Sequence, residues 1–236
     1  MNKKIIMPIA LLTLVCLGVF VSAVQKEMDF PGTTITGEFV QQNMQFGKGW
    51  NLVQGILNPE WIQTNSDSIK AIYAFNPTTD EYVRFYPEPE NDKIGETNFA
   101  WSTWGRFGAL WVYSEKDFNS NYWKFENFPL AQTPLFSGWN FIGITSDMLD
   151  KSLGSIRGSC DIQKYAYWDN DYQRWETSTP ETLADQMPAG ANIGWYDIVM
   201  FEQFQLGEGI LFKVSSDCTL GASGSSNVPE LPNIPN

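Results

Sequence analysis

The stretch Gly49-Trp50-Asn51-Leu52-Val53 returns 89 residues later as Gly138-Trp139-Asn140-Phe141-Ile142. A phrase repeated at such an interval marks one structural unit written twice when its surroundings repeat with it. They do: Tyr73-Ala74-Phe75 is answered by Tyr165-Ala166-Tyr167, and Tyr82-Val83-Arg84-Phe85 by Tyr172-Gln173-Arg174-Trp175, at offsets of 92 and 90. Trp101 and Trp104 correspond to Phe201 and Phe204, and Gly108-Ala109-Leu110-Trp111 to Gly209-Ile210-Leu211-Phe212, at offsets of 100 and 101. The order of four blocks is kept while the spacers change length.

Each block reads as strand. Apolar residues alternate with polar or small ones along Gly49–Gly55, and Ile69–Phe75 and Glu81–Tyr86 are rich in aromatic and β-branched residues. Asn76-Pro77-Thr78-Thr79-Asp80 between them is turn chemistry, so a hairpin is expected. The second copy reads as the same hairpin with two fewer linker residues and Asp169-Asn170-Asp171 at its tip. The units close on Leu110–Ser114 and Leu211–Ser215, with Asp117-Phe118-Asn119 and Asp217-Cys218 after them. Helices should be short: Pro59 opens one through Trp61 and Gln63, Asp147 to Leu153 stops at Gly154, and Thr179-Pro180-Glu181 opens another to Met187. The expected fold is therefore all-β, two tandem small antiparallel β modules with a few short helical turns. The first covers residues 38–119 and the second 120–221, after a lead-in of coil or edge strand over 24–37 and before a flexible Pro/Ser-rich tail over 222–236.

Residues 1–23 carry Lys3 and Lys4, an apolar run from Ile5 to Phe20, and Val21-Ser22-Ala23 at the spacing a signal peptidase reads. They are read as an export signal cut after Ala23; the competing reading is a retained N-terminal anchor. Export agrees with the cysteines: with Cys16 in the signal, Cys160 and Cys218 remain in the second repeat and are expected to pair as a disulfide. Two separate thiols, or a thiolate metal site without histidine, are the alternatives. The formal charge of -12 opposes nucleic-acid phosphates and anionic lipid, and suits a soluble protein outside the cell that could attract cations or a basic surface.

These blocks resemble a repeat of exported bacterial and archaeal surface proteins, in which a Gly-Trp-Asn-Leu-Ile strand precedes an aromatic hairpin and a closing Gly-x-Gly-aromatic strand. Gly207-Glu208-Gly209-Ile210-Leu211-Phe212 matches the closing segment, whereas Gly105-Arg106-Phe107-Gly108 spaces its glycines one residue wider, so that the first unit's last strand could enter at another register. The resemblance spans nearly all of residues 38–220. It implies an extracellular or cell-surface module with no defined activity, and no catalytic residue is carried over from it.

The chain has no histidine, which removes Ser-His-Asp and Cys-His nucleophiles and the His-containing zinc sites of most hydrolases. No catalytic residue, metal site or cofactor is expected. The best carboxylate cluster, Asp169 and Asp171 beside Glu176, reads as a solvated turn before it reads as a calcium site or a glycosidase pair. Rings make up 15% of the chain, with 10 tryptophans. Those that recur in both blocks while changing type, such as Phe75/Tyr167, Phe85/Trp175 and Trp111/Phe212, read as core packing. Trp61, Trp123, Trp168 and Trp195 have no aromatic match in the other unit and are the candidate residues of an exposed ligand-binding patch. The expected function is a secreted or surface-displayed, non-enzymatic protein for adhesion to a surface, protein or glycan partner. A carbohydrate-binding module using those four tryptophans is the alternative, and a carboxylate-dependent glycosidase the third reading.

Overall fold

The structure, a computed structural model, describes residues 24–30, 33–54, 59–90, 92–93, 108–125, 133–179, 183 and 195–221, with backbone alone at 24–30, 33–40, 59 and 122–125. The export signal read over residues 1–23 and the tail over 222–236 lie outside them, as do Trp101 and Trp104. Two four-stranded antiparallel sheets carry the fold. One is built from β3 (Gly49–Gln54), β4 (Ile69–Asn76), β5 (Glu81–Tyr86) and β6 (Ala109–Ser114), in the order β3-β6-β4-β5. The other uses β9 (Gly138–Gly143), β10 (Ile162–Asp169), β11 (Arg174–Ser178) and β12 (Gly209–Val214), in the order β9-β12-β10-β11. The two orders are the same, so the written repeat is a topological repeat. The lead-in is a hairpin of β1 (Val24–Phe30) and β2 (Thr33–Phe46), and β7 (Phe118–Phe125) pairs with β2 across the 119/120 boundary read from the sequence.

The Gly-Trp-Asn phrase is a strand-entry turn. Gly49 and Gly138 hold φ of 103° and 101°, a region closed to most L residues. The buried Asn51 amide folds back on that turn: Gly47 N–H donates to Oδ1 at 2.8 Å, and Nδ2 donates to the carbonyls of Gly47 and Gly49 at 2.8 and 3.2 Å. Asn140 makes the same set, from Phe136 N–H at 2.8 Å and to Phe136 and Gly138 carbonyls at 2.7 and 3.1 Å. A carboxylate completes each turn, Asp117 accepting from Lys48 N–H at 2.7 Å and Asp217 from Ser137 N–H at 2.8 Å.

Register corrects three expectations. Asn76 pairs with Glu81 and Asp169 with Arg174, so both hairpins have four-residue turns and the second is not shorter. The tips match in detail, with Asp80 and Gln173 at φ of 57° and 51° and with Asn76 and Asp169 each accepting a backbone N–H two residues on. The hairpins therefore superpose at an offset of 93, which aligns Phe75 with Trp168 and Tyr82 with Trp175. In the closing strands Asn51 faces Val112 and Asn140 faces Phe212, so the offset there is 100 and Trp111 corresponds to Leu211, not Phe212. A one-residue slip moves a side chain to the opposite face of a strand, so pairs such as Phe75/Tyr167, Phe85/Trp175 and Trp111/Phe212 are not equivalent positions.

Each unit has its own core. In the first, Phe46, Ile69, Ile72 and Val112 are buried around α1 (Pro59–Thr64), and Phe118 stacks on Phe46 at 4.7 Å. In the second, Ile144, Leu153, Phe201 and Phe212 are fully or almost fully buried. Here β8 (Pro134–Leu135) and β13 (Cys218–Thr219) make two pairs where β2 and β7 make eight. The Cys160–Cys218 disulfide, with Cα atoms 5.4 Å apart, ties down this short ladder. At the offset of 100 Cys218 occupies the place of Phe118, so a covalent staple in one unit stands where ring stacking stands in the other.

The expected helix stop at Gly154 is not found. Gly154 lies inside α2 (Leu153–Ile156), against α3 (Trp195–Ile198), where a Cβ would fall 2.3 Å from Asp197 Oδ1. Close approach of two short helices, not chain termination, requires this glycine. Of the helix read over Thr179 to Met187, Leu183 N–H donates to Thr179 O at 3.1 Å, and most of the rest lies outside the described residues.

The two sheets meet face to face about a pseudo-two-fold axis, recognisable because equivalent residues touch each other across it. Gln54 and Gly143, equivalent at the offset of 89, are one such pair; Ala109 and Gly209 are another. A Cβ on Gly143 would lie 2.1 Å from Gln54 Cβ, and one on Gly209 2.6 Å from Ala109 Cβ. Each axis pair thus needs one glycine, which a perfectly duplicated sequence with side chains at these positions could not provide. Gln54 N–H donates to Gly207 O at 2.7 Å across the same seam. A third buried cluster, including Leu52, Phe75, Phe141 and Leu211, fills the space between the units.

Candidate functional site: an aromatic cleft between the repeats

The facing surfaces of the two sheets do not close completely at one end. Trp50, Tyr73 and Trp111 of the first unit, with Tyr82 at its hairpin edge, face Trp168 and Trp175 of the second, and these six rings line an open cleft of about 370 Å³. The volume is that of a small-ligand site. Trp111, Trp168 and Trp175 stand nearly at right angles to one another, with interplanar angles of 89°, 76° and 77° and centroids 5.0–5.3 Å apart. Trp50 meets Trp111 edge-on at 5.9 Å. Edge-to-face contacts are the favoured geometry of such rings.

The walls are held by the hairpin tip of the second unit. Gln173 Oε1 accepts from Trp50 N–H at 2.7 Å, and Gln173 Nε2 donates to Trp50 O at 3.1 Å and to Asn170 O at 2.8 Å. Trp168 Nε1–H also donates to Trp50 O, at 2.8 Å. Gly49 leaves room for this clamp, since a Cβ there would fall 2.2 Å from Gln173 Oε1. The rings are thus positioned before any ligand arrives.

A second cleft, of about 290 Å³, lies on the other side of Tyr82 and Trp175, lined also by Trp139, Phe141, Asp80 and Thr177. It is the pseudo-symmetric counterpart of the first, since Trp139 corresponds to Trp50, Ala166 to Tyr73 and Leu211 to Trp111. The duplication has diverged here, one cleft keeping aromatic walls and the other gaining a carboxylate and a hydroxyl. Tyr82 and Trp175, equivalent to each other, line both and are two of the most exposed rings, at 48% and 36%.

The structure does not bring together the four tryptophans singled out by their lack of a partner. Trp61 is buried in the first core, its Nε1–H donating to Ser120 Oγ at 3.0 Å, and Trp195 is buried in the second. Trp123 stands on β7 opposite Gln41, and its side chain lies outside the described residues. Of the three whose side chains are described, only Trp168 lines a cleft, and it is matched after all, by Phe75. The cleft's other rings, Trp50, Tyr73, Trp111 and Trp175, recur in both repeats and read as core from the sequence; Trp111 is indeed buried and Trp50 and Tyr73 pack against its cluster, so the cleft opens at the margin of that core. The signal that could have found them was the hairpin register: aligning Asn76 with Asp169, both turn-capping residues, sets the offset to 93.

The acidic tip is a turn. Asp169 Oδ1 accepts from the N–H groups of Asp171 and Tyr172, both at 3.0 Å, and Glu176 pairs with Arg174 at 2.7 Å. Among the described residues no group of three or more potential ligands could hold a metal ion. No described helix is long and apolar enough to cross a membrane. In the cleft, burial pushes the Tyr82 phenol up, with Asp80 adding to the shift and a hydrogen bond with Trp111 opposing it.

Glu208, at the seam, is also displaced. Its burial raises the carboxyl above the ordinary glutamate range, partly offset by the Gln205 N–H that donates to Oε2 at 3.0 Å. The folded state therefore holds this proton more tightly than the unfolded chain. Stability falls as pH rises from ~4.3 through the raised value and is level above it. Glu208→Gln, which keeps an acceptor for Gln205, should raise Tm at pH 7 by on the order of 2 °C, and the gain should close below pH ~4. Calorimetric scans of both proteins across that range test this, and a gain that persists at low pH would rule out the buried charge as its source.

Compared with known proteins, the chain matches no family model, no curated protein and no solved structure.

Proposed function

We propose that this chain is a secreted or surface-displayed, non-enzymatic binding protein, and that it attaches to its partner through the aromatic cleft between the repeats. The observation that carries the reading is the cleft itself: six rings from two units, each with its own core, around an opening at which Tyr82 and Trp175 are exposed and over which Gln173 ties down the Trp50 backbone. Exposed apolar surface of this kind is costly in a soluble protein and characteristic of interaction sites. Location outside the cell is supported by the export-signal pattern of residues 1–23, the disulfide and the resemblance to exported surface repeats. The absence of histidine supports the non-enzymatic part.

Titration with Nile red, a neutral apolar dye, tests the cleft. Wild-type protein should bind it with a shift in dye emission, and Trp175→Ala should weaken that binding at least fivefold while Tm moves little, because Trp175 is partly exposed. Equal binding by both proteins would sink the cleft as the site. Turnover of glycan or peptide substrates by a purified sample would sink the non-enzymatic reading.

A glycan ligand is the second reading, favoured by one feature of the second cleft. There Asp80 and Thr177 stand beside Trp139, Tyr82 and Trp175, a pairing of hydroxyl-binding groups with flat faces that suits a sugar ring. A glycan array on wild type and Asp80→Ala decides it: hits that weaken in the variant are expected, and a blank array counts against it.

A further inference from the structure

We infer that the six-ring cleft is a site for a quaternary ammonium group, such as the trimethylammonium head of a choline-type compound. The inference rests on the cleft being a binding site and names the chemistry it takes.

Three observations point there. The first is what the walls lack: among the described residues no carboxylate, amide or charged side chain lines this cleft. A sugar would bury hydroxyls that the walls are poorly equipped to satisfy, and unsatisfied buried polar groups are costly. The Trp168 indole N–H is already committed to Trp50 O. An alkylated ammonium has no N–H to satisfy, and its charge is met by ring faces.

The second is ring type and arrangement. Four of the six walls are tryptophan, the strongest of the aromatic partners for a cation. Their planes stand at steep angles, so that a rounded cation can meet several faces at once, whereas an extended planar ligand would meet one. The cleft has ample room for a trimethylammonium head and leaves space for the chain that carries it.

The third comes from the repeat. In the second unit the counterpart of Trp50 is Trp139, and Lys213 Nζ lies 6.0 Å from the centre of its ring. The residue equivalent to Lys213 in the first unit is Tyr113, whose ring meets Trp50 at 5.1 Å. One copy thus supplies its own ammonium to this tryptophan, while among the described residues no lysine or arginine lines the cleft around the other. The formal charge of -12 favours arrival of a cation from solution.

The test compares choline with 3,3-dimethylbutan-1-ol, which has nearly the same shape and no charge, by tryptophan fluorescence and calorimetry on the full chain. Choline is expected to bind at least tenfold more tightly than the neutral analogue, and Trp175→Ala should reduce choline binding by at least tenfold. Equal affinity for the two compounds would overturn the inference while leaving an apolar binding cleft. Binding of neither, with Nile red still bound, would likewise overturn it alone; loss of Nile red binding as well would take the cleft reading with it. Because the isostere comparison uses wild-type protein, an unstable Trp175→Ala would not obscure the result. Retention on phosphatidylcholine vesicles, competed by free choline, would support a lipid-borne source of the group, and choline binding without retention a soluble one.

Discussion

Reduction of the Cys160–Cys218 bond is expected to destabilise the second repeat by ~4 kcal/mol, the chain-entropy value for a loop of 58 residues. The effect should be large because this bond supports an element with little else to hold it. The β8–β13 ladder has two pairs, and Leu135 and Leu220, buried at its ends, depend on it to stay in the core. In the first repeat the equivalent ladder is long and Phe118 packs on Phe46 and Trp61, so no thiol chemistry touches it. Urea unfolding with and without dithiothreitol, followed by amide exchange, should therefore separate two transitions. Protection in β10 and β12 should fall on reduction while protection in β4 and β6 largely remains. A midpoint unmoved by reduction would mean that the short ladder carries no structural weight.

Asn140→Ala is expected to cost about 3 kcal/mol, because three backbone groups lose their partner together and each buried unsatisfied group costs roughly 1–3 kcal/mol, less where water can enter. The asparagine itself is 3% exposed, so its amide is well shielded. Asn51→Ala should cost at least as much, since its amide makes the same three bonds and also donates to Val112 O at 3.4 Å. Aspartate is not a rescue: it keeps the acceptor for Phe136 N–H but turns the donor that serves the Phe136 and Gly138 carbonyls into a second acceptor. Asp217→Ala provides the control. It removes one exposed bond to the same turn and should cost less than ~1 kcal/mol. Chemical denaturation of the four variants orders them, and an Asn140→Ala protein no weaker than Asp217→Ala would show that the turn is held by the strand ladder instead.

The cleft was harder to see in the sequence than the fold. Trp168 lacks an aromatic counterpart only at the offset of the strand phrases, and aligning Trp175 with Phe85 places it in the core, whereas the hairpin register pairs them with Phe75 and Tyr82. Both misalignments come from one source: a repeat with unequal spacers can be aligned on aromatic residues in more than one register, and neighbouring registers place a ring on opposite faces. The turn residues carry better information. Asn76 and Asp169 share a capping role that their similar side chains announce, and Asp80 and Gln173 share a left-handed conformation although they look unlike in sequence.

By itself the sequence determined the elements and their order. Alternation of apolar and polar residues marks the strands, Gly-Trp-Asn marks the strand-entry turn, and the two cysteines left outside the N-terminal segment mark the disulfide, because each is set by residues close together or by chemistry with few options. Tertiary structure alone decided which rings line the cleft. Trp50 and Trp168 lie 118 residues apart, and what joins them is an indole hydrogen bond and the packing of one sheet on another. The axis glycines 143 and 209 belong to the same class: nothing adjacent to them in the chain requires a glycine, and their small size is needed only where an equivalent residue of the other repeat presses against them. Local periodicity sets how a strand alternates, but the face that meets a partner is set by register and docking, which depend on contacts far apart in the chain.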